Sequence, residues 1–142
     1  MTPLSARLLA VVDALPLRPG LRVLEIGGAP GAAAREVAAR VGPSGHVMVL
    51  DRSPAGIDRT RIACAELIDA GSMSTLCAPV EDFALEPATP LFDLAFACRV
   101  GALDGRHPSL YEEALRGIRR ALRPDGVLYV DTGDPLRRVD LR

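Results

Sequence analysis

The chain has 142 residues, 49% of them hydrophobic, and a formal net charge of -1 at pH 7. This length suits a single domain over residues 1–142. The balanced charge offers no broad attraction for nucleic acid or an anionic membrane, and no apolar run is long enough to cross a bilayer. Three widely spaced cysteines, Cys64, Cys77 and Cys98, indicate neither disulfides nor a metal site. We therefore expect a cytoplasmic protein with no metal, nucleic acid or membrane among its partners.

Helices and strands are predicted to alternate along the chain. Apolar residues recur at helical spacing and predict an opening helix, namely Leu4, Leu8, Val11, Val12 and Leu15. Short apolar runs predict strands at 21–26, 46–50, 74–80, 91–98 and 126–131. Helices are predicted at 32–41, from an N-cap at Ser53 to about Ala70, and at 108–122. The residues from Asp131 onward contain Gly133-Asp134-Pro135 and three arginines, which predict a loop.

This alternation is typical of a doubly wound α/β fold, in which helices cover both faces of a mostly parallel sheet. We expect five strands. The last of them, at 127–130, is apolar on both faces yet should lie at the edge of the sheet. Because an uncovered apolar edge strand favours association, we predict a homodimer that uses this region.

A glycine-rich turn follows the first predicted strand. Gly27, Gly28 and Gly31 allow the backbone to turn sharply and to approach a ligand closely. The helix that follows directs its first N–H groups toward an anionic group. Asp51 ends the second strand, where an acid binds ribose hydroxyls in dinucleotide folds. These features predict an adenosine-containing ligand without choosing between cofactors; the plainer interpretation is a tight turn with Asp51 as a cap.

Four segments, in order, resemble the class I S-adenosylmethionine-dependent methyltransferases. Residues 23–31, VLEIGGAPG, look like that family's first motif, and residues 49–51, VLD, look like its second strand with the ribose-binding acid. Residues 92–97, FDLAFA, resemble the fourth strand, and residues 121–128, ALRPDGVL, resemble the junction into the fifth. The resemblance covers nearly the whole chain. It implies a Rossmann-like sheet of strand order 3-2-1-4-5, lacking the further helix and last two strands of the full family fold.

The resemblance also implies which residues hold S-adenosylmethionine. The expected contacts are Glu25 with the amino end, the backbone of Gly27, Gly28, Ala29 and Gly31 with the methionine portion, Asp51 with the ribose, Arg52, Val80 and Glu81 or Asp82 with the adenine, and Cys98 near the sulfonium. Two positions depart from the family pattern, since Ala29 replaces the usual middle glycine and Pro79 replaces an acid that reaches the adenine in many members. Glu25 favours this family over dehydrogenases, whose G-x-G-x-x-G loop has a different spacing.

The methyl acceptor is expected to be a small molecule. Methyl transfer needs an aligned nucleophile, and a base only when the acceptor loses a proton. His107 is the candidate base, against the plainer interpretation of an exposed residue at a helix start. Arg99, Asp104 and Tyr111 are candidates for orienting the acceptor, while His46 starts its strand at the opposite edge and is excluded. Two other functions stay open: a cofactor-binding module or partner subunit without activity, and a dehydrogenase or other nucleotide-binding enzyme.

Overall fold

A computed structural model describes residues 3–141, which form six strands and five helices. The strands are β1 (Arg22–Ile26), β2 (His46–Asp51), β3 (Met73–Cys77), β4 (Phe92–Ala97), β5 (Leu122–Val130) and β6 (Arg137–Val139). The helices are α1 (Ala6–Ala14), α2 (Ala32–Val41), α3 (Pro54–Ala63), α4 (Ala65–Asp69) and α5 (Tyr111–Ala121), and a 3-10 turn at Pro108–Leu110 precedes α5. All six strands belong to one sheet, in the order β3-β2-β1-β4-β5-β6.

β1 is a central strand that pairs in parallel with both β2 and β4. Val23 lies opposite Val47 on one side and opposite Leu94 on the other. β3 pairs in parallel with β2, and β5 pairs in parallel with β4. Because these five strands run in the same direction, their carboxyl ends meet at one edge of the sheet, which is where ligands bind in open α/β folds. The predicted order 3-2-1-4-5 is confirmed.

Helices cover both faces of the sheet, so the doubly wound prediction is also confirmed. On one face, Val11 of α1, Val37 of α2 and Ile57 of α3 belong to one core with the sheet residues Val47 and Phe96. On the other face, α5, through Ile118, and the segment after β3 pack against Leu24, Leu50, Phe92 and Leu128 of the sheet. The strands are apolar on both faces because each face is removed from water.

Some element boundaries differ from the prediction. The helix expected from Ser53 to about Ala70 divides at Cys64, whose φ of -115° and ψ of 24° interrupt it between α3 and α4. Ser53 is confirmed as the N-cap of α3, since its Oγ accepts a hydrogen bond from the Gly56 amide at 3.0 Å. None of the helices within residues 3–141 is both long and apolar enough to cross a membrane.

The prediction of a loop after Asp131 was wrong. The residues 133–135 that disfavour a strand lie in a turn, and after it β6 runs back antiparallel to β5, with Val139 opposite Leu128. Val139 is buried, so its contact with the apolar core offsets the weak strand propensity of its neighbours. The expectation of five strands with β5 at the edge was therefore also wrong, because β6 pairs with that edge. The homodimer remains a prediction, but an uncovered edge at β5 no longer supports it.

Substitution of Val139 by alanine tests the packing of β6. We expect Val139→Ala to lower the free energy of unfolding by about 1–3 kcal/mol, because it leaves a cavity in the core. Arg138→Ala, one residue earlier and exposed, is the matched control and should change stability by less than about 0.5 kcal/mol. Urea denaturation measures both changes, and equal stabilities for the two variants would contradict the packing of β6 against β5.

Candidate functional site

A cleft of about 310 Å³ opens at the carboxyl edge of the sheet. Seven of the residues predicted from the sequence line this cleft: Gly27, Asp51, Arg52, Val80, Glu81, Arg99 and His107. They come from the ends of β1, β2 and β4 and from the segment after β3. The parallel pairing thus brings together groups that are distant in the sequence, as a site at the strand ends requires.

The glycine loop after β1 has the conformation that its sequence predicts. Gly27 and Gly31 have φ of +73° and +102°, a region that favours glycine. A Cβ on Gly27 would lie 2.8 Å from Val100 Cγ2, so this glycine also allows close approach to the segment after β4. Within residues 3–141, the non-glycine residues with positive φ are Ala88 and Arg99. Ala29 therefore occupies the usual position of a glycine without backbone strain.

Asp51 connects the glycine loop to the start of α3. Its Oδ2 accepts a hydrogen bond from the Ala29 amide at 3.1 Å, and its Oδ1 accepts one from the Ser53 amide at 2.9 Å. A carboxylate has about four lone-pair sites, so both oxygens keep capacity for further donors. Asp51 also lines the cleft. The same side chain can therefore shape the loop and bind hydroxyl groups of a ligand.

Glu25 lies beneath the glycine loop and is the most unusual group of the site. Its side chain is buried, and its Oε1 has no hydrogen-bond partner among residues 3–141. A Cβ on Gly28 would lie 2.6 Å from Glu25 Cδ, so the missing side chain of this glycine makes room for the carboxyl group. Burial, and to a smaller extent the charge of Asp51, raises the pKa of Glu25 to about 8. An unpartnered buried carboxyl oxygen is uncommon in proteins, and a strongly shifted pKa beside a cleft is typical of functional sites.

The segment after β4 is held in place by Asp131. Arg99 has a left-handed φ of +57°, and its amide donates a hydrogen bond to Asp131 Oδ2 at 3.1 Å. Arg7 of α1 forms an ion pair with the same oxygen at 3.3 Å. On the other side, Arg106 Nη2 donates to the Arg99 carbonyl oxygen at 2.8 Å. These contacts fix the backbone that carries Arg99 into the cleft.

Several predicted cofactor residues do not line the cleft. Cys98 packs in the core, where burial raises the pKa of its thiol to about 12, so its side chain does not reach the cleft as the resemblance implied. Glu25, Gly28 and Gly31 are buried and do not line the cleft either. Ala29 of the glycine loop is half-buried, and Asp82 is exposed at the end of the 79–82 turn.

The predicted acceptor residues divide between two cavities. Arg99 and His107 line the cleft, and the His107 ring packs against Gly101. Asp104 and Tyr111 line a neighbouring depression of about 490 Å³, which we call the side pocket and which also contains Thr132 and Arg137. His46 lies away from both, with its ring nitrogens 2.8 Å from the Gly71 carbonyl oxygen and 2.7 Å from Ser74 Oγ.

Sequence reasoning missed Arg106, Thr132 and Arg137. Arg106 lines the cleft and forms an ion pair with Asp104 at 3.0 Å. The hydrogen bond from Arg106 holds the pKa of Asp104 below its ordinary value. Thr132 and Arg137 reach the side pocket because β6 folds back onto β5. The sequence carries no signal for them, since arginines near a glycine and a proline are equally typical of an exposed loop. A larger groove, of about 1060 Å³, lies at the amino end of β5 and contains none of the predicted site residues.

Comparisons with known proteins agree with this geometry. A family described as "Methyltransferase domain" matches residues 23–126, more than half of the chain. The ubiquinone/menaquinone biosynthesis C-methyltransferase UbiE of Ectopseudomonas mendocina (strain ymp) is 32% identical over 124 residues, which cover 84% of this chain and 46% of that protein. The chain thus spans less than half the length of this relative.

Solved structures show the same fold at low sequence identity. A S-adenosylmethionine-dependent methyltransferase from Aquifex aeolicus has a TM-score of 0.68 at 18% identity, over 87% of this chain and 62% of that one. Phosphoethanolamine N-methyltransferase 1 of Haemonchus contortus, solved with phosphoethanolamine and S-adenosylhomocysteine, has a TM-score of 0.70 at 20% identity, over 89% of this chain and 25% of that one. These similarities concern the fold.

The buried carboxyl of Glu25 predicts a pH-dependent stability. Its pKa of about 8 in the folded protein exceeds the ordinary value of 4.5, so the folded state keeps a proton that the unfolded state loses. The stability is therefore fully present below about pH 4.5 and falls as the pH rises to about 8, by on the order of 5 kcal/mol. Glu25→Gln should remove this loss.

Urea denaturation at pH 5 and pH 8 measures this effect. The decrease in free energy of unfolding between the two pH values should be several kcal/mol smaller in Glu25→Gln than in the wild type. Glu86→Gln makes the same chemical change at an exposed position and is the matched control. If wild type and Glu25→Gln lose the same stability, the interpretation of Glu25 is wrong.

Asp131 is predicted to contribute more to stability than its ion-pair partner. Asp131→Ala removes the acceptor of the Arg99 amide and should cost about 1–3 kcal/mol. Arg7→Ala removes only the ion pair, in which the Arg7 side chain is 48% exposed, and should cost at most about 1 kcal/mol. Urea denaturation gives both values, and hydrogen exchange should show faster exchange of the Arg99 amide in Asp131→Ala alone. Equal exchange in both variants would rule out the role of Asp131.

Proposed function

Because the chain belongs to the methyltransferase domain family, we propose that it binds S-adenosylmethionine in the cleft and methylates a small-molecule acceptor. Residues 23–126, which match the family, include the glycine loop, Asp51, and the residues that follow β3 and β4. The proposal places the protein among cytoplasmic transferases.

The unpartnered oxygen of Glu25 carries this proposal. A buried carboxyl group without a hydrogen-bond partner is costly, and proteins retain such groups mainly where a ligand completes them. The ammonium group of S-adenosylmethionine is a donor of the required charge. A nicotinamide dinucleotide has no ammonium group to offer to Glu25, so the same observation favours the adenosyl cofactor over a dehydrogenase cofactor.

The rest of the cleft suits the other parts of the cofactor. The backbone of Gly27 is free of a side chain and is available to the methionine portion. Asp51 lines the cleft with lone pairs left for ribose hydroxyls, and Arg52, Val80 and Glu81 line it where the adenine is expected. Pro79 lines the same wall, and Glu81 supplies a carboxylate there, so it takes the place of the acid that Pro79 replaces.

Methyl transfer requires that the acceptor be oriented toward the methyl group. For a hydroxyl or amine acceptor, it also requires removal of a proton. When bound, S-adenosylmethionine supplies a methyl group on a positively charged sulfur, which keeps the C–S electron pair when an acceptor lone pair forms the new bond. His107 lines the cleft and is the residue available to take a proton. Arg99, fixed by Asp131, is available to orient the acceptor.

Thermal unfolding with added ligands tests the proposal. At a hundredfold excess over its Kd, S-adenosylmethionine or S-adenosylhomocysteine should stabilise the protein by about 2.7 kcal/mol and raise the midpoint by several degrees. NAD and FAD at equal concentration should not raise it. A shift with NAD or FAD alone, or no shift with either adenosyl ligand, would overturn the proposal.

Glu25→Gln separates binding from folding in the same assay. The substitution removes a carboxyl group that can ionise opposite the ammonium group, and it should weaken binding of S-adenosylhomocysteine by about tenfold to a hundredfold. The same variant should be more stable at pH 8 without ligand, so a loss of binding does not reflect a loss of folding. Glu86→Gln should bind as the wild type does. Binding in the wild type without turnover on any acceptor would assign the second function, a binding module.

A further inference from the structure

The side pocket adjoins the cleft on its outer side. Both cavities contain Ala102, and an ion pair forms the wall between them, with Arg106 in the cleft and Asp104 in the side pocket. The side pocket also lies at the carboxyl edge of the sheet, because Thr132 directly follows Asp131, which is bonded to the end of β4 at the Ala97 carbonyl oxygen. A molecule in the side pocket would therefore lie beside a molecule in the cleft.

The sizes of the two cavities suggest different occupants. The cleft, at about 310 Å³, is near the lower end of the range for ligand sites, which is about 300–1,000 Å³. A nucleoside-sized cofactor would fill most of it and leave room for the reacting end of a second molecule only. The side pocket adds about 490 Å³, enough for a small acceptor.

The charges of the side pocket favour an anion. Asp104 is the carboxylate in its wall, and Arg106 neutralises it through contacts of 3.0 Å from Nε to both oxygens. Arg137 is the cation, and within residues 3–141 its guanidinium has a neutral partner, the Thr132 hydroxyl at 3.2 Å. Arg137 is exposed and thus brings one positive charge to the mouth of the pocket.

The remaining polar groups are donors that suit an oxyanion. Tyr111 lines the pocket, and its hydroxyl has no hydrogen-bond partner within residues 3–141. The Thr132 hydroxyl has a donor proton free, because it accepts from Arg137. A guanidinium and two hydroxyls together match a carboxylate or phosphate, since arginine binds these groups through charge-assisted hydrogen bonds.

We propose that the side pocket holds the acceptor by a negatively charged oxygen group, with Arg137, Thr132 and Tyr111 as donors, and that the reacting end of the acceptor extends past Arg106 into the cleft, where Arg99 and His107 lie. This inference rests on the proposed function, because it names the acceptor class for the cofactor bound in the cleft. Arg137 would repel a cationic acceptor and would form no charge-assisted hydrogen bond to a neutral one.

NMR titration of the protein saturated with S-adenosylhomocysteine tests this inference. The probes are benzoate and phenyl phosphate, and benzamide is the neutral control of nearly the same shape. Both anions should shift the amide signals of Thr132 and Arg137 and bind at least about tenfold more tightly than benzamide. The anion that binds more tightly identifies the group as a carboxylate or a phosphate. Equal affinity for benzamide, or no binding of either anion, would overturn the proposal.

Two variants assign the binding to this pocket. Arg137→Gln should weaken anion binding about tenfold, while Arg138→Gln, a neighbour on β6 that lines the larger groove, should not. Tyr111→Phe should give a smaller loss, and the spectrum of each variant reports its folding directly. Equal losses in Arg137→Gln and Arg138→Gln would mean a general charge effect and would refute the site.

The same spectra distinguish failure of this inference from failure of the proposed function. Signals of Asp51 and Glu81 report S-adenosylhomocysteine in the cleft, independently of the anion. If these signals shift and no anion binds, the acceptor site is wrong and the cofactor site stands. If anions bind and the cleft signals never shift, both the acceptor role and the proposed function are wrong.

Discussion

The parallel pairing of β2, β1 and β4 is the constraint on which the rest of the structure depends. Parallel strands need crossover connections, and these place helices on both faces of the sheet. The strands are consequently buried on both faces, and their carboxyl ends meet at one edge. Polar groups near these ends are the ones left to contact solvent or a ligand. The cleft therefore follows from the topology, and its chemistry follows from the few residues at which each strand ends.

The buried carboxyl group of Glu25 lowers the stability of the fold, so stability alone does not explain its presence. It lies among the apolar residues Val23, Leu24 and Ile26 of β1, and it is buried with one oxygen unpartnered. A glutamine or an apolar residue would avoid the cost of desolvating a carboxyl group. Real proteins break such rules mainly at functional sites. Gly28 makes the arrangement possible, because any side chain there would occupy the space of the Glu25 carboxyl group.

Two sets of contacts fix the segment after β4, one formed by Asp131 and the other by Arg106. Asp131, at the end of β5, accepts the Arg99 amide and the Arg7 side chain, so α1, β4 and β5 are joined at one carboxylate. Arg106 then ties the loop after β4 back to the Arg99 carbonyl oxygen and to Asp104. This double attachment gives the wall between the cleft and the side pocket a defined position, which a free loop would not have.

The sequence by itself determined the alternation of elements and the glycine loop with its two acids, because periodicity, turn residues and the segments at 23–31 and 49–51 are local signals. The sheet order was implied by the family resemblance and not by these local signals. Only the tertiary structure decided that Cys98 faces the core, that both Asp51 oxygens accept backbone amides, and that β6 covers the edge of β5. Strand β6 is short and carries two arginines, so its propensity is weak; burial of Val139 stabilises it, and burial depends on partners distant in the chain. Arg137 reaches the side pocket for the same reason, since its position depends on that pairing and on no motif of its own.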